Sequence, residues 1–263
     1  MTILDEIVSE TRATLESALD RTAVAAGAAG DAPPTRSLID ALNAPGSFRV
    51  IAEFKRKSPS GGEIRPGSTP QEVVSAYESA GAAAISCLTN LTFFGGTLND
   101  LKAVKDSVAI PVLRKDFVVD RRQLLEARGA GADAVLLIAE CLPGQALEDM
   151  MGEALALGLD VLLEIHDGEQ LPRALVWTEQ HPRHVRLGIN NRNLRTMTTD
   201  LGHIEALLPQ LPNPSSVVAE SGLREPEDLA RMQRVGIRNG LIGEHLMRQP
   251  DPGAALRGLL SGS

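Results

Sequence analysis

The sequence predicts a (β/α)8 TIM barrel with an N-terminal helical extension, and three observations carry that expectation. Eight short, continuously apolar runs recur along the 263-residue chain, their starts 34, 27, 24, 26, 26, 30 and 23 residues apart. The runs do not alternate apolar with polar residues, so they suit strands buried on both faces, as in a parallel sheet covered by helices. Between them lie stretches of helical periodicity with recognisable start and stop signals. Strand and helix repeated eight times is the arithmetic of a closed barrel, whereas a doubly wound open sheet usually has fewer units.

Residues 1–48 precede the repeat and form the extension; 49–263 form the barrel, a single catalytic domain. Ile3, Leu4, Ile7, Val8, Leu15 and Leu19 recur as one face of an amphipathic helix. Residues 23–34 (AVAAGAAGDAPP) are small and rich in breakers, which predicts a mobile connection. Ser37 to Leu42 predicts a short helix. The extension either plugs the barrel floor or lies as a partial lid over the mouth; the pattern supports both readings.

The runs are 49–55 (RVIAEFK), 83–89 (AAISCLT), 110–116 (IPVLRKD), 134–140 (AVLLIAE), 160–166 (DVLLEIH), 186–192 (RLGINNR), 216–221 (SVVAES) and 239–244 (NGLIGE). After the first, Thr69 is an N-cap and Pro70 the first helical residue, with Val73, Val74, Tyr77 and Ala80 on one face and Gly81 as the stop. Leu98, Leu101, Val104 and Lys105 mark the second helix. Asp120 heads the third, on Leu124, Leu125 and Ala127, ending near Gly129. Leu147, Met150, Met151, Ala154 and Leu155 mark the fourth, ending near Gly158. Glu225-Pro226-Glu227-Asp228 opens the seventh, on Leu229, Met232 and Val235, ending at Gly236. Tyr77 and Trp177 fall in helical segments and read as packing residues.

Composition excludes several classes. Hydrophobic residues at 43% and charged residues at 23% are ordinary globular values. Lys and Arg number 26 against 34 Asp and Glu, so the net charge of −8 opposes a nucleic-acid surface. The two cysteines, Cys87 and Cys141, lie in apolar segments, so no disulfide framework or cysteine zinc site follows, and a cytoplasmic setting is expected. Cys87 reads as core rather than nucleophile. The N-terminus lacks the basic and apolar regions of a signal peptide, and no run is long enough to span a membrane. The five histidines show no metal-ligand spacing, and no Gly-x-Ser-x-Gly elbow or Walker motif occurs.

In this fold the chemistry sits at the C-terminal ends of the strands. The runs place Glu53 and Lys55, Lys115 and Asp116, Glu140, Glu164 and His166, Asn190 and Arg192, and Glu220 and Ser221 there. Glu53 lies between Ala52 and Phe54, and Glu164 between Leu163 and Ile165. Burying such charges is costly unless they are paired, and their perturbed pKa values suit acid–base catalysis. Contact with Lys55 and partial burial are expected to lower the Lys115 pKa, and Glu53 to raise it. After runs seven and eight come Ser221-Gly222 and Gly243-Glu244, the latter leading into a helical turn. Barrel enzymes often hold phosphate there. The loop Lys57-Ser58-Pro59-Ser60-Gly61-Gly62 is either a further source of phosphate donors or a flexible basic turn.

The strand ends resemble the indole-3-glycerol-phosphate synthase family. IAEFKRKSPSGG (51–62) and PVLRKDFVVD (111–120) are the specific segments. LTNLTFFGGTLNDL (88–101), LLEIHD (162–167), GINNRNLRT (188–196), VAESGL (218–223) and LIGEHLM (241–247) continue the likeness from Pro34 to the C-terminus. The resemblance implies a carboxy-lyase of tryptophan biosynthesis that converts 1-(2-carboxyphenylamino)-1-deoxyribulose 5-phosphate to indole-3-glycerol phosphate, CO₂ and water. It implies Lys115 as acid, Glu164 as base, Lys55 or Lys115 as second proton donor, and Glu53 as the group that tunes the lysines. Asn190 and Glu220, with Ser221 beside them, would position hydroxyls and water. Ser58, Gly222, Gly243 and Glu244 would hold the phosphate, Arg192 the ribulose or phosphate, and Phe94 and Phe117 the anthranilate ring. No metal or organic cofactor is implied. The expected partner is the small-molecule substrate alone, without nucleic acid or membrane, on a monomer or weak homodimer.

Three rival functions remain open in the residues. Phosphoribosylanthranilate isomerase has a Cys at the end of strand one, where this chain has Glu53-Phe54-Lys55. A Schiff-base aldolase would use a deprotonated Lys115. A catalytically dead phosphosugar-binding protein would not need Glu53, Lys55, Lys115 and Glu164 intact.

Overall fold

The computed structural model describes residues 3–16, 22–46, 48–193 and 196–262. Leu19 of the first amphipathic pattern, and Leu194 and Arg195 of the 188–196 segment, lie outside them. All eight apolar runs are strands, and they close into one parallel barrel. The strands are β1 (Arg49–Phe54), β4 (Ala84–Leu88), β5 (Val112–Lys115), β6 (Ala134–Ile138), β7 (Asp160–Ile165), β8 (Val185–Asn190), β9 (Val217–Glu220) and β10 (Asn239–Ile242). β1 pairs with β4 on one side and with β10 on the other, which closes the ring. A two-residue antiparallel hairpin, β2 (Lys57–Ser58) with β3 (Gly62–Glu63), stands beyond β1, so the basic loop is an ordered turn.

The parallel register brings the polar strand ends level. Glu53 lies beside Ser86, Lys115 beside Leu88, Glu164 beside Ile138 and Asn190 beside Glu220. Below them the strands are buried throughout, filled by Ile51, Ile85, Leu113, Leu136, Leu163, Ile189 and their neighbours.

Around the barrel run α4 (Pro70–Ser79), α6 (Leu98–Ser107), α7 (Arg121–Gly129), α8 (Ala146–Ala156), α9 (Leu171–Gln180), α10 (Gly202–Leu207) and α11 (Pro226–Arg234), with α13 (Pro252–Ser261) closing the ring and a single turn, α5 (Leu91–Phe94), in the loop after β4. Thr97 and Asp120 cap α6 and α7 through reciprocal side-chain and backbone bonds. Thr69 precedes Pro70 as expected, but its hydroxyl bonds Glu72 rather than a backbone N–H. Tyr77 is wholly buried, and Trp177 is partly buried with its ring stacked on His181. Cys87 is fully buried and burial pushes its thiol pKa far up, so it has no nucleophilic thiolate. Among the described residues, no helix is long and apolar enough to cross a membrane.

The extension serves both ends of the barrel. α3 (Leu38–Asn43), capped by Ser37, sets Leu38 and Leu42 into the core at the floor. Asp160, at the start of β7, accepts from the Ser37 hydroxyl at 3.2 Å, and Asp133, just before β6, accepts from the Arg36 backbone at 2.7 Å and from Lys105 at 2.5 Å. α1 (Ile3–Glu16) lies at the opposite end, where Ile3, Leu4 and Ile7 line the mouth cavity.

One expectation fails here. Residues 23–34 were expected to form a mobile connection, but α2 (Thr22–Gly30) is a helix packed on α7. Alanine is the best helix former, and the one interior glycine, Gly27, costs only about 1 kcal/mol, while Gly30 stands at the helix end. Small side chains also allow close approach: a Cβ built on Gly129 would stand 2.9 Å from the Ala28 Cβ. The true breakers are Pro33 and Pro34, whose carbonyl partners include Arg128, donating to Pro33 O at 2.6 Å. Gly129→Val is therefore expected to destabilise the protein by about 1–3 kcal/mol through overpacking. Thermal melting would register this, and an unchanged midpoint would deny that α2 is docked at that glycine.

Candidate active site

The cavity at the C-terminal mouth is about 410 Å³ and is lined by every residue to which the resemblance gave a role: Glu53, Lys55, Ser58, Phe94, Lys115, Phe117, Glu164, Asn190, Arg192, Glu220, Ser221, Gly222, Gly243 and Glu244. They come from seven strand ends and the loops behind them, so parallel register alone concentrates them.

At its base Lys115 is held between two carboxylates. Its ammonium lies 3.0 Å from Glu164 Oε2 and 3.4 Å from Glu220 Oε2. Burial works against the charge, yet Glu164, Glu220 and Glu53 together raise the Lys115 pKa well above that of an ordinary lysine. This corrects the expected compromise. Lys55 is paired with Glu53 instead, bonding its Oε1 at 2.7 Å. Burial pushes the Glu53 carboxyl up, but Lys55 and Lys115 outweigh it and hold its pKa below the usual value, helped by Ser86.

Glu164 is the best-served acceptor in the site. Besides Lys115 it receives Asn190 Nδ2 at 3.0 Å and faces His166 Nε2 at 3.0 Å. Burial opposes its charge, but Lys115 and His166 hold its pKa well below the ordinary range. Glu220 is the opposite case. It is buried, no protein group donates a hydrogen bond to either oxygen among the described residues, and its carboxyl lies near that of Glu164. Burial and that neighbouring charge push its pKa well up, against the pull of Lys115.

His166 and Glu140 stood at strand ends in the sequence reading but received no role. The signal was present: Glu164 and His166 are two residues apart, and alternate residues of a strand share a face. Glu140 sits on the turn after β6 and accepts from the His166 backbone at 2.7 Å, with its other oxygen 3.6 Å from His166 Nδ1. Burial disfavours the imidazolium, but the two carboxylates prevail and raise its pKa to about 10. Asp116 belongs elsewhere. It accepts from Thr89 at 2.5 Å and Arg114 at 3.0 Å, a buried structural cluster beside Lys115.

At one side of the cavity the Phe94 and Phe117 rings lie 6.1 Å apart and tilted by 32°. At another, Ser221 (φ 62°) and Gly222 (φ 90°) make a sharp left-handed turn after β9. A non-glycine residue in that region is strained, and such strain concentrates at functional sites. Gly243 precedes the short helix α12 (Glu244–Arg248). Arg248 joins this side unforeseen, bonding Glu244 at 2.9 Å and Gly61 O at 2.8 Å. Arg192 donates to Ser60 Oγ at 2.6 Å, and the Ser58 hydroxyl accepts from Gly61 N at 3.0 Å.

Gly243 is needed for room and not only for an anion. A Cβ there would run into the Glu53 carboxylate. Gly243→Val is thus expected to lower kcat as well as raise KM, because it displaces Glu53. Steady-state kinetics separate the two, and a change in KM alone would assign Gly243 to anion binding only.

Among the described residues, no group of three or more His, Cys, Asp or Glu side chains is arranged to hold a metal ion. The positive charge facing the carboxylates comes from the two lysines and His166.

A sequence model described as indole-3-glycerol phosphate synthase matches residues 4–259. The indole-3-glycerol phosphate synthase of Rhodopirellula baltica is 46% identical over 265 residues, covering 99% of this chain and 100% of its own. The chain belongs to the indole-3-glycerol phosphate synthase family. A second member of that family, from Rhodospirillum rubrum, is 44% identical over 264 residues and 98% of both chains. Among solved structures, the tryptophan synthase alpha subunit of Legionella pneumophila superposes with a TM-score of 0.62, covering 87% of this chain and 98% of its own. At 15% identity that likeness concerns the barrel fold alone. Members of the synthase family are carboxy-lyases of tryptophan biosynthesis, and this chain is accordingly an enzyme acting on a small-molecule substrate.

Proposed function

We propose that the chain converts 1-(2-carboxyphenylamino)-1-deoxyribulose 5-phosphate to indole-3-glycerol phosphate with the residues lining this mouth. The observation that carries the reading is the charged Lys115 held between Glu164 and Glu220 at the base of a cavity with aromatic rings on one side and glycine turns on another. Phe94 and Phe117 flank the anthranilate ring. Ser58, Gly222, Gly243 and the Glu244 backbone hold the phosphate, with Arg192 on the ribulose or phosphate. That leaves the ketone over Lys115.

The ring carbon bearing the carboxylate attacks the ketone carbon, and Lys115 gives its proton to the ketone oxygen. An oxygen gaining full negative charge is a strong base, so an ammonium is acid enough to serve it. CO₂ leaves and returns its electron pair to the ring. Glu164 then takes a proton from the carbon beside nitrogen while the new hydroxyl departs as water, with Lys55 or Lys115 as donor. Glu53 holds Lys55, and Asn190 and Glu220, with Ser221, position the hydroxyls and water. The enzyme acts in the cytoplasm, as a monomer or weak homodimer; two buried, unpaired cysteines suit a reducing compartment.

Incubation with the substrate is expected to produce indole fluorescence together with CO₂. Substrate left unchanged would overturn the reading.

A further inference from the structure

Glu164 and Glu220 flank the same Lys115 ammonium, and their surroundings are unequal. Glu164 faces three donors: Lys115, Asn190 and His166, each at 3.0 Å. Glu220 faces none closer than Lys115 at 3.4 Å, and both its oxygens are buried without a donor among the described residues. Two carboxyls that share a site do not both ionise readily. The one rich in donors keeps the charge and the other keeps the proton. The chain has made room for the second: a Cβ on Gly188, in the adjacent strand β8, would strike the Glu220 carboxyl.

The donor that distinguishes the pair is His166. Its Nε2 meets Glu164 and its Nδ1 faces Glu140, whose other oxygen is pinned by the backbone N–H groups of His166 at 2.7 Å and Asp167 at 3.3 Å. Glu140 thus holds the His166 backbone and favours the charge of its ring. The charged groups that bear most on the pair are Glu53 with Lys55 from the end of β1, Lys115 from β5, Glu140 from the turn after β6, beside the uncharged Cys141 thiol, and His166 just past the end of β7.

We propose that His166, braced by Glu140, is a positioning residue that keeps Glu164 ionised and leaves Glu220 as a neutral carboxylic acid, which protonates the departing hydroxyl in the dehydration step. The proposal deepens the synthase reading and rests on it, and it moves the donor of the dehydration proton from the lysines to Glu220. The step balances. Glu220 gives its proton to the hydroxyl, the C–O bond breaks and water leaves. Glu164 takes the proton from the carbon beside nitrogen, and that C–H electron pair becomes the new ring double bond. Afterwards Glu164 returns its proton to Glu220. Lys115 is left to ring closure, and it recovers from solvent the one proton that decarboxylation consumes.

Two variants test this, with CO₂ release and indole fluorescence followed together in single turnovers. Wild type without indole formation would overturn the synthase reading itself; the remaining outcomes concern only the proposal. In Glu220→Gln, CO₂ release is expected within about threefold of wild type, while indole formation falls roughly 10²-fold or more. Parallel loss of CO₂ and indole with a raised KM would make Glu220 a hydroxyl holder and overturn the proposal, as would unchanged indole formation. His166→Gln keeps an N–H donor without the charge. Removing the imidazolium raises the Glu164 pKa, so the acidic limb of the kcat–pH profile is expected to move up by about one unit or more, with activity regained at higher pH. A uniform loss across pH, or no change, would reduce His166 to a structural role and overturn its assignment.

Discussion

Lys115→Met abolishes indole formation and leaves the barrel folded; this is the largest single effect expected of the site. Methionine matches the length of the lysine stem but carries no proton, and Glu164 and Glu220 then lose the cation between them. The same lysine separates two mechanisms. A Schiff base requires a neutral amine, yet the carboxylates of Glu164 and Glu53 hold this amine charged, with a pKa raised above the usual lysine value despite burial. Borohydride added with substrate is therefore expected to trap no adduct. Inactivation with the substrate's mass on the peptide containing Lys115 would establish the aldolase-like alternative, and retained activity in Lys115→Met would discard both mechanisms.

Glu164→Gln lowers kcat by roughly 10²–10⁴-fold, the usual contribution of a positioned acid–base group, with substrate affinity nearly intact. The amide fills the same space, so the loss belongs to the proton transfer. The pH sign follows from the structure. Burial raises the Glu164 pKa, but Lys115 and His166 together hold it well below the usual value, so the base stays ionised and an acid limb appears only as pH falls below the ordinary carboxylate range. If Glu164 were only an ion-pair partner, melting temperature would fall while kcat held, and both are measurable on the one variant.

The barrel was legible because a strand buried on both faces leaves an unbroken apolar run, and all eight runs became strands. The site was legible for a related reason: a charge such as Glu53 or Glu164 inside such a run has no solvent to reach, so it must face partners. What escaped depended on three-dimensional proximity. Arg248 reaches the loop at Gly61 across 187 positions of sequence. His166 looked like one histidine among five until Glu140, from a different strand end, closed behind it. The Ala/Gly segment looks like a connection because its glycine and proline are breakers, but its alanines form a helix and Gly129 on α7 leaves room to receive it. Whether the extension plugs or covers had no answer in the pattern, since an amphipathic face records that something is buried but not where.

That extension does both, and its path has a consequence. From α1 at the rim it passes by α2, seated on α7, to α3 at the base. It is a strap buckled outside the barrel, with its lower end fastened by Asp133 and Asp160 to the strand beginnings. Ile3, Leu4 and Ile7 thus stand over the mouth as one end of a segment whose other end is fixed at the opposite pole of the barrel.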